Sequence, residues 1–347
     1  MTKRHDELKV GLVGAGRVAQ AYADAFAYCK GVKLVAVADT CPEVAEVMGK
    51  KIGCPSYVNP ESMARNCQLD AAIVCTPPTS HPDISIALLN AGVHVLCEKP
   101  FSIKVQDARR MVHTARKNGL KLTMASKFRF VADVILAKKM MLSGSLGDLI
   151  LFENVFANRV DMSKRWNSIP EVSGGGVLID NGTHSVDLMR YFLGSLAEVH
   201  VLEGRRSQGL PVEDTVAMSV RSTTGAIGNI DLSWSIDKQR TSFLDIYGSR
   251  GTISIGWHES RYFDYSAKEW VVLGKGYDKL QAFRSQIENF VKAIRGGEPL
   301  LLTDEEALTS VAIMEAAYRS LRQSKWVEVS MPKPVGEARR DGRWAVL

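Results

Sequence analysis

The chain has 347 residues, of which 46% are hydrophobic, and this length and composition predict two globular domains with apolar cores. The formal charge of +6 comes from scattered Lys and Arg residues, so we expect no nucleic-acid partner. No apolar stretch is long enough to cross a bilayer, and residues 1–9 lack the apolar core of a secretory signal, so we expect a cytoplasmic protein without a membrane partner.

The first 125 residues alternate between apolar runs and helical patterns. The predicted strands are residues 9–13, 33–38, 71–75, 93–97 and 121–125. The predicted helices are residues 18–28, 84–90 and 108–117. This alternation is typical of a parallel, doubly wound sheet, so residues 1–126 are predicted to form an α/β domain.

The six cysteines of the chain all lie in its first third. None forms a C-x-x-C pair, and most lie within or beside apolar runs. We therefore expect reduced, buried thiols, with neither disulfides nor a metal site. The cysteines are Cys29, Cys41, Cys54, Cys67, Cys75 and Cys97.

The pattern changes near residue 148 to strands with little helix between them. The predicted strands are residues 149–156, 198–202, 215–221, 226–235, 241–247, 252–255 and 270–273. The predicted helices are one that residues 173–176 open and that ends near 192, then 280–294, then 304–323 with a capping box at Thr303 and Glu306. Consecutive strands without crossovers imply a large, mostly antiparallel sheet, so residues 127–331 are predicted to form an α+β domain, followed by a tail at 332–347.

A glycine-rich turn joins the first predicted strand to the first helix. Gly14, Gly16 and Ala19 form a G-x-G-x-x-A motif, in which Gly14 permits the tight turn and Gly16 allows a pyrophosphate to approach the backbone. Asp39 ends the second strand, where an acid binds a ribose 2′-hydroxyl and repels a 2′-phosphate. The motif indicates a Rossmann domain that binds NAD rather than NADP; the alternative is a plain turn with an incidental Asp39.

Two further groups of residues are candidate catalytic residues. Lys99, in Glu98-Lys99-Pro100, ends a predicted strand at the sheet edge where ligands bind; alternatively it is a solvated surface lysine. Asp180, His184 and Asp187 lie at i, i+4 and i+7 of a predicted helix and share a face. Asp180 is expected to orient His184 as a general base, although a helix face that is simply hydrogen-bonded, or a metal site, gives the same spacing.

A basic and aromatic loop precedes that helix. Trp166 can stack on a ring, and Arg165, next to Lys164, can hold a phosphate. The alternative is a solvated loop.

The order of these motifs resembles the Gfo/Idh/MocA oxidoreductases, a family with glucose–fructose oxidoreductase, inositol dehydrogenases and nucleotide-sugar dehydrogenases among its members. The resemblance covers about residues 8–330 and includes Thr76-Pro77-Pro78 with His81 close behind, Gly174-Gly175-Gly176 and Glu213-Asp214-Thr215. It implies that Lys99, Asp180 and His184 are catalytic. The cofactor contacts that it implies are Gly14, Gly16, Arg17, Val18, Asp39, Thr76, Pro77, His81, Glu98 and Lys99.

The resemblance also implies a substrate site and an assembly. The implied substrate contacts are Arg129, Arg165, Trp166, Asn181, Asp180 and His184. Arg129 falls where the family often has an Arg-Phe pair, although Lys127 and Phe128 before it are not the residues that the family usually has there. The antiparallel sheet forms a subunit interface in relatives, so a homodimer or homotetramer is expected.

These features together predict an NAD-dependent enzyme that transfers a hydride between nicotinamide and a ring hydroxyl or ketone of a sugar, cyclitol or nucleotide-activated sugar. The sharpest expectation is C3 of a UDP-N-acetylhexosamine. Either His184 or Lys99 accepts the hydroxyl proton. The alternatives are an NAD-dependent glycoside hydrolase of the same fold and a non-catalytic NAD-binding regulator.

Overall fold

The computed structural model describes residues 7–330. The predicted tail at 332–347 and the first six residues lie outside the described residues. None of the helices between residues 7 and 330 combines the length and the apolarity needed to cross a bilayer.

The first part of the chain forms a six-stranded sheet in which every strand pairing is parallel. Its strands are β1 (Leu8–Val13), β2 (Val32–Ala38), β3 (Ser56–Tyr57), β4 (Ala71–Val74), β5 (His94–Cys97) and β6 (Leu122–Met124). They lie in the order β3-β2-β1-β4-β5-β6. The order reverses between β1 and β4, and such a switch point is where open α/β sheets bind ligands, beyond the carboxyl ends of their strands. The predicted parallel sheet is confirmed.

Within residues 7–330, five helices alternate with the strands of this sheet. They are α1 (Arg17–Phe26), α2 (Pro42–Ile52), α3 (Pro60–Cys67), α4 (His81–Asn90) and α5 (Val105–Lys117). The sequence prediction omitted α2 and α3. Yet Pro42 opens α2 and Gly53 ends it with a positive φ of 77°, the usual places of these two residues at helix ends.

The second part of the chain forms a nine-stranded sheet, antiparallel except for the pairing of β7 with β10. Its strands are β7 (Leu149–Ala157), β8 (Leu196–Glu203), β9 (Thr215–Ser222), β10 (Ile227–Ser233), β11 (Ser242–Gly248), β12 (Gly251–Gly256), β13 (Ser260–Asp264), β14 (Glu269–Gly274) and β15 (Val327–Glu328). The order is β14-β13-β12-β11-β7-β10-β9-β8-β15. The predicted, mostly antiparallel sheet is confirmed, although β13 and β15 were not among the predicted strands.

The remaining helices are α6 (Ala132–Leu142), α7 (Pro170–Ser173), α8 (Val177–Leu193), α9 (Lys279–Ile294) and α10 (Asp304–Gln323). The capping box predicted for α10 is present: the Thr303 side chain accepts from the Glu306 amide, and the Glu306 side chain accepts from the Thr303 amide. The sequence prediction omitted α6.

The last two helices pack back against the N-terminal sheet. Phe283 of α9 lies edge-on to Tyr22 of α1, with ring centroids 4.8 Å apart, in the core around β1. Leu308 and Val311 of α10 belong to the core that also holds Met111 of α5. The division at residues 126 and 127 remains a prediction, because the packing of α9 and α10 crosses it.

The cysteines are only partly as expected. All six are free thiols, and Cys97 is fully buried. Cys41, in contrast, is exposed, so the prediction of a buried thiol is wrong there; it lies in a surface turn directly before α2.

Candidate active site

A cleft of about 680 Å³ lies where the carboxyl ends of β4, β5 and β6 face α8 and the loop at residues 164–167. The predicted site residues that line it are Gly16, Arg17, Val18, Thr76, Glu98, Lys99, Arg165, Trp166, Asp180, Asn181 and His184. The predicted site residues that do not line it are Gly14, Asp39, Pro77, His81 and Arg129.

The glycine-rich turn leaves the start of α1 open to a ligand. Gly14 has a φ of +86°, and a Cβ there would lie 2.8 Å from the backbone carbon of Cys75, so only glycine fits this close approach of two strand ends. Gly16 caps α1, and a Cβ at Gly16 would meet no atom within 4 Å. An open helix N-terminus of this kind suits a pyrophosphate.

Asp39 is fixed at the end of β2 by two backbone amides. Its carboxylate oxygens accept hydrogen bonds from Ala15 N at 2.8 Å and from Cys41 N at 2.9 Å. Together with the open start of α1, this anchored carboxylate fits a dinucleotide, with the pyrophosphate at Gly16 and a ribose hydroxyl at Asp39.

His81 does not face the cleft, contrary to the expected cofactor contact. It is fully buried, its Nδ1 lies 2.8 Å from Pro100 O, and its Nε2 lies 2.7 Å from Thr76 O. Burial lowers the pKa of His81 despite these carbonyl partners. His81 therefore connects the segments after β4 and β5 and helps to position Thr76 and Lys99.

Lys99 and Asp180 form an ion pair inside the cleft. Lys99 Nζ lies 2.5 Å from Asp180 Oδ1 and 3.2 Å from the Asp180 carbonyl oxygen. The two side chains are about one-fifth exposed, at 18% and 20%. The peptide bond between Lys99 and Pro100 is cis. The two contacts with Asp180 give the ammonium of Lys99 a fixed direction across the junction of β5 and α8.

Glu98 lies beside Lys99 and faces inward. Its Oε1 accepts a hydrogen bond from Tyr22 Oη at 2.8 Å, and its Oε2 accepts one from Lys99 N at 3.1 Å. Gln286 Nε2 of α9 donates to Tyr22 Oη at 2.9 Å. Burial raises the pKa of Glu98. This chain of bonds connects α1, β5 and α9 beneath the floor of the cleft.

His184 lies in the cleft wall, but Asp180 does not orient it, so that expectation is wrong. The carboxylate of Asp180 is paired with Lys99, and His184 Nδ1 is buried without a hydrogen-bond partner in the described part of the chain. Burial, together with the positive charges of Lys99 and Lys127, holds the pKa of His184 well below its usual value. The imidazole is therefore neutral at physiological pH.

Arg129 is a structural residue, so the expected substrate contact is wrong. It is fully buried and binds Asp187 through Nη2 at 2.5 Å and through Nε at 3.1 Å, and Nη1 lies 2.7 Å from Glu306 Oε1. Ser126 Oγ also donates to Asp187 at 2.5 Å. Asp187 therefore joins α8 to the segment after β6 and does not extend the active face of α8.

Lys127, which no sequence motif singled out as a site residue, also lines the cleft. Its ammonium lies 5.0 Å from the ring centroid of Phe128, 5.6 Å from that of Tyr277 and 5.7 Å from that of Phe283. Burial and the charge of Lys99 lower the pKa of Lys127 to about 8. No sequence pattern indicated this, because two of the three aromatic neighbours, Tyr277 and Phe283, are distant in the chain.

The basic and aromatic loop lies at the rim of the cleft. Trp166 is 42% exposed and begins a short 3₁₀ turn, and Arg165 directly precedes it. Asn181 is half-buried on the opposite wall, next to Asp180 in α8. The substrate contacts expected of these residues remain predictions.

The buried carboxylate of Glu213 binds the backbone amides at the start of α8. Glu213 Oε1 accepts from Gly176 N at 2.9 Å, from Leu178 N at 3.2 Å and from Tyr318 Oη at 2.7 Å. A Cβ on Gly175 would lie 1.9 Å from Tyr318 Oη, and one on Gly176 would lie 2.0 Å from the Glu213 carbonyl oxygen. The glycines therefore let α8 approach β9 and α10 closely enough to present Asp180 and His184.

No group of three or more His, Cys, Asp or Glu side chains within residues 7–330 is arranged to hold a metal ion.

A dinucleotide-binding sheet joined to a large, mostly antiparallel sheet, with a fixed lysine and a neutral histidine in the cleft, defines a two-domain NAD-dependent dehydrogenase acting on CH–OH groups. The chain belongs to the Gfo/Idh/MocA family: residues 8–126 match its NAD-binding Rossmann fold, and residues 138–329 match its C-terminal alpha/beta domain. The predicted family, fold class and NAD cofactor are confirmed.

Named relatives match nearly the whole chain. Inositol 2-dehydrogenase of Rhizobium meliloti is 23% identical over 93% of this chain and 99% of its own. D-glucoside 3-dehydrogenase of Escherichia coli is 26% identical over 93% of this chain and 97% of its own. The WlbA dehydrogenase from Bordetella pertussis, solved with NADH and UDP-GlcNAcA, is 24% identical with a TM-score of 0.83, over 94% of this chain and 99% of its own. The family is one of sugar and cyclitol dehydrogenases.

Proposed function

We propose that this protein oxidises a ring hydroxyl of a pyranose that carries a nucleotide or another anionic group, with C3 of a UDP-N-acetylhexosamine as the sharpest form of the proposal. The observation that supports it best is the meeting of the Lys99–Asp180 ion pair and neutral His184 in one cleft, beyond the strands next to the dinucleotide turn. The relatives named above support a ring alcohol as substrate, and the basic rim at Arg165 supports an anionic group on it.

Lys99 and His184 have separate roles in the proposed oxidation. NAD held by the turn at Gly16 and by Asp39 would supply the acceptor for the hydride of the carbinol carbon. Lys99 donates a hydrogen bond to the reacting oxygen and stabilises its developing negative charge, and Asp180 fixes the direction of the ammonium. His184 accepts the hydroxyl proton because its imidazole is neutral, whereas the ammonium of Lys99 is already paired with a carboxylate. The carbinol thus loses a hydride and a proton and becomes a ketone.

The variants Lys99→Ala and His184→Ala test these roles. Each should lose most of its turnover, by about 10²–10³-fold for the oxygen-stabilising lysine and about 10²–10⁴-fold for the base, while NAD affinity stays unchanged. Absorbance of NADH measures turnover, and fluorescence titration with NADH measures binding. Lys139→Ala, an exposed lysine on α6, is the control. Near-normal turnover in both cleft variants contradicts the assignment.

A panel of substrates tests the nucleotide part of the proposal. UDP-N-acetylglucosamine should be oxidised faster than free N-acetylglucosamine or myo-inositol. Equal rates with free and UDP-linked sugar contradict the nucleotide part. Cleavage of a glycoside without net NADH would instead identify the hydrolase named among the alternatives, and tight NAD binding without any turnover would identify the regulator.

We also propose that the protein is a homodimer or homotetramer joined through the outer face of the nine-stranded sheet. Strand register places Trp270, Val272 and Ile227 on that face, and their exposures of 50%, 60% and 46% are high for large apolar residues. Light scattering after size exclusion measures the mass, and a monomer at micromolar concentration contradicts this proposal.

A further inference from the structure

The cleft carries an excess of positive charge. Its cationic lining residues are Arg17, Lys99, Lys127, Lys164, Arg165 and Lys279. Within residues 7–330, two carboxylates line it, Glu98 and Asp180, so the formal excess is 6 − 2 = +4 with His184 neutral. The pyrophosphate of NAD offsets only part of this excess. The geometry therefore favours a second anionic group among the ligands of the cleft.

Lys127 is a cation of this cleft whose ammonium lies among aromatic rings. Among residues 7–330, no hydrogen-bond acceptor or carboxylate oxygen binds its ammonium, whereas Lys99 is paired with Asp180. Its neighbours are the ring faces of Phe128, Tyr277 and Phe283, which tolerate a cation but supply no counter-charge. A half-buried ammonium in such a wall gains most from an anion that a ligand brings.

The sheet order places Lys127 at the substrate end of the cleft. Lys127 follows β6, which lies three strands from β1, roughly 14 Å at about 4.8 Å per strand. The dinucleotide turn follows β1, so a pyrophosphate at Gly16 is far from Lys127. Lys99 follows β5, the neighbouring strand. Burial and the charges of Lys99 and Lys279 lower the pKa of Lys127, whereas the carboxylates of Glu98 and Asp180 raise it. Lys127 thus lies beside the proposed reacting oxygen and not beside the phosphates.

We propose that Lys127 binds a carboxylate on the sugar ring of the substrate, so that the substrate class is a uronate-type acidic sugar. The inference rests on the proposed oxidation of a ring hydroxyl and names the ring substituent that this cleft selects. A carboxylate suits Lys127 because one ammonium among aromatic faces matches a single negative charge, whereas a phosphate favours several donors, such as those at Lys164 and Arg165 on the rim.

The test compares binding of D-glucuronate and D-glucose to the NADH complex by isothermal titration calorimetry. The wild-type complex should bind glucuronate about 10- to 100-fold more tightly than glucose, as expected for a charge-assisted hydrogen bond. In Lys127→Met the ratio should fall to about one while glucose affinity is retained. Lys139→Met removes the same charge from an exposed site on α6 and should keep the wild-type ratio. The preference should also fall between pH 7 and pH 9, as Lys127 loses its proton.

Three results would overturn the inference: equal affinities in the wild type, an unchanged ratio in Lys127→Met, or a parallel loss of NADH affinity in that variant, which would assign Lys127 to the cofactor. The proposed function is tested separately by NADH formation from NAD with the same two sugars. A glucuronate preference that depends on Lys127 but comes without turnover contradicts the oxidation and supports the binding site. Equal turnover of both sugars supports the oxidation and overturns the carboxylate site.

Discussion

Replacing Asp187 by Asn should remove a large part of the stability of this protein. The Asp187 carboxylate accepts three hydrogen bonds, two from Arg129 at 3.1 and 2.5 Å and one from Ser126 at 2.5 Å. Asp187 and Arg129 are both fully buried. An Asn of the same shape retains one acceptor oxygen, but it removes the negative charge and turns an amide N–H₂ toward the donors of its neighbours.

The expected loss follows from what the substitution leaves behind. Removing one partner of a buried ion pair costs about 3–5 kcal/mol, because the remaining charge stays out of water. Arg129 keeps Glu306 at 2.7 Å and the Leu301 carbonyl at 3.0 Å, so we expect the lower end, about 3 kcal/mol. A folded protein is more stable than its unfolded chain by only about 5–15 kcal/mol, so this loss is readily measured.

Urea unfolding, followed by both tryptophan fluorescence and far-ultraviolet circular dichroism, measures the change. Coincident transitions of the two signals establish a single cooperative step before a free energy is extracted. The control is Glu46→Gln, which breaks an i,i+4 pair with Lys50 whose side chains are 62% and 82% exposed. It should change the free energy of unfolding by less than about 0.5 kcal/mol.

The reasoning is refuted if Asp187→Asn costs less than about 1 kcal/mol, the range of an exposed pair. It is also refuted if the variant unfolds normally but loses substrate affinity, since that result would return Arg129 and Asp187 to the substrate site. Because neither residue lines the cleft, kcat/KM well below the unfolding temperature should stay within about threefold of the wild type.

Three further results are expected. Burial and nearby lysines depress the pKa of His184, so the acid limb of the pH profile of kcat/KM should lie below pH 6.5. Lys127→Met should move this limb to higher pH, because it removes a positive charge near His184. A limb that does not move argues against His184 as the base. Asp39→Ala should raise the ratio of kcat/KM with NADP to that with NAD, because the carboxylate that repels a 2′-phosphate is lost; initial rates decide this, and a constant ratio is the contrary result. Gly175→Ala should lower the free energy of unfolding by about 1–3 kcal/mol, because its Cβ would lie 1.9 Å from Tyr318 Oη; an unchanged urea midpoint would show that Tyr318 moves without cost.

Local sequence signals alone predicted most strands of the parallel sheet. Strands such as β4 and β5 are mostly apolar runs, since both faces of the sheet are buried there, and such runs stand out in a sequence. Strand β3 was missed because it has only two residues, Ser56 and Tyr57, and both are half-buried. Helix α3 was missed although Asn59 caps it by accepting from the amides of Glu61 and Ser62, an N-terminal signal that the sequence does display. Strand β13 was missed because Tyr262, Phe263 and Asp264 are only half-buried, so buried and exposed residues alternate weakly along it.

The sequence predicted which residues lie in the cleft better than it predicted which side chains bind one another. Helical spacing correctly placed Asp180 and His184 on one cleft wall, but it says nothing of which partner a side chain selects. Asp180 pairs with Lys99, which is 81 positions away in the chain. The carboxylate partners of Arg129 likewise come from distant segments, as do Tyr277 and Phe283 beside Lys127, so no local pattern could show them.

The return of α9 and α10 to the N-terminal sheet determines which parts of this protein can be exchanged with those of a relative. A chimaera cut only at residue 127 would pair α1 with a foreign α9 and would have to rebuild the contact of Tyr22 with Phe283 and Gln286. A graft of residues 127–278 would keep that contact native, since both helices would stay with their own sheet. The interchangeable unit for changing sugar preference is therefore an internal cassette, and not the C-terminal half of the gene product.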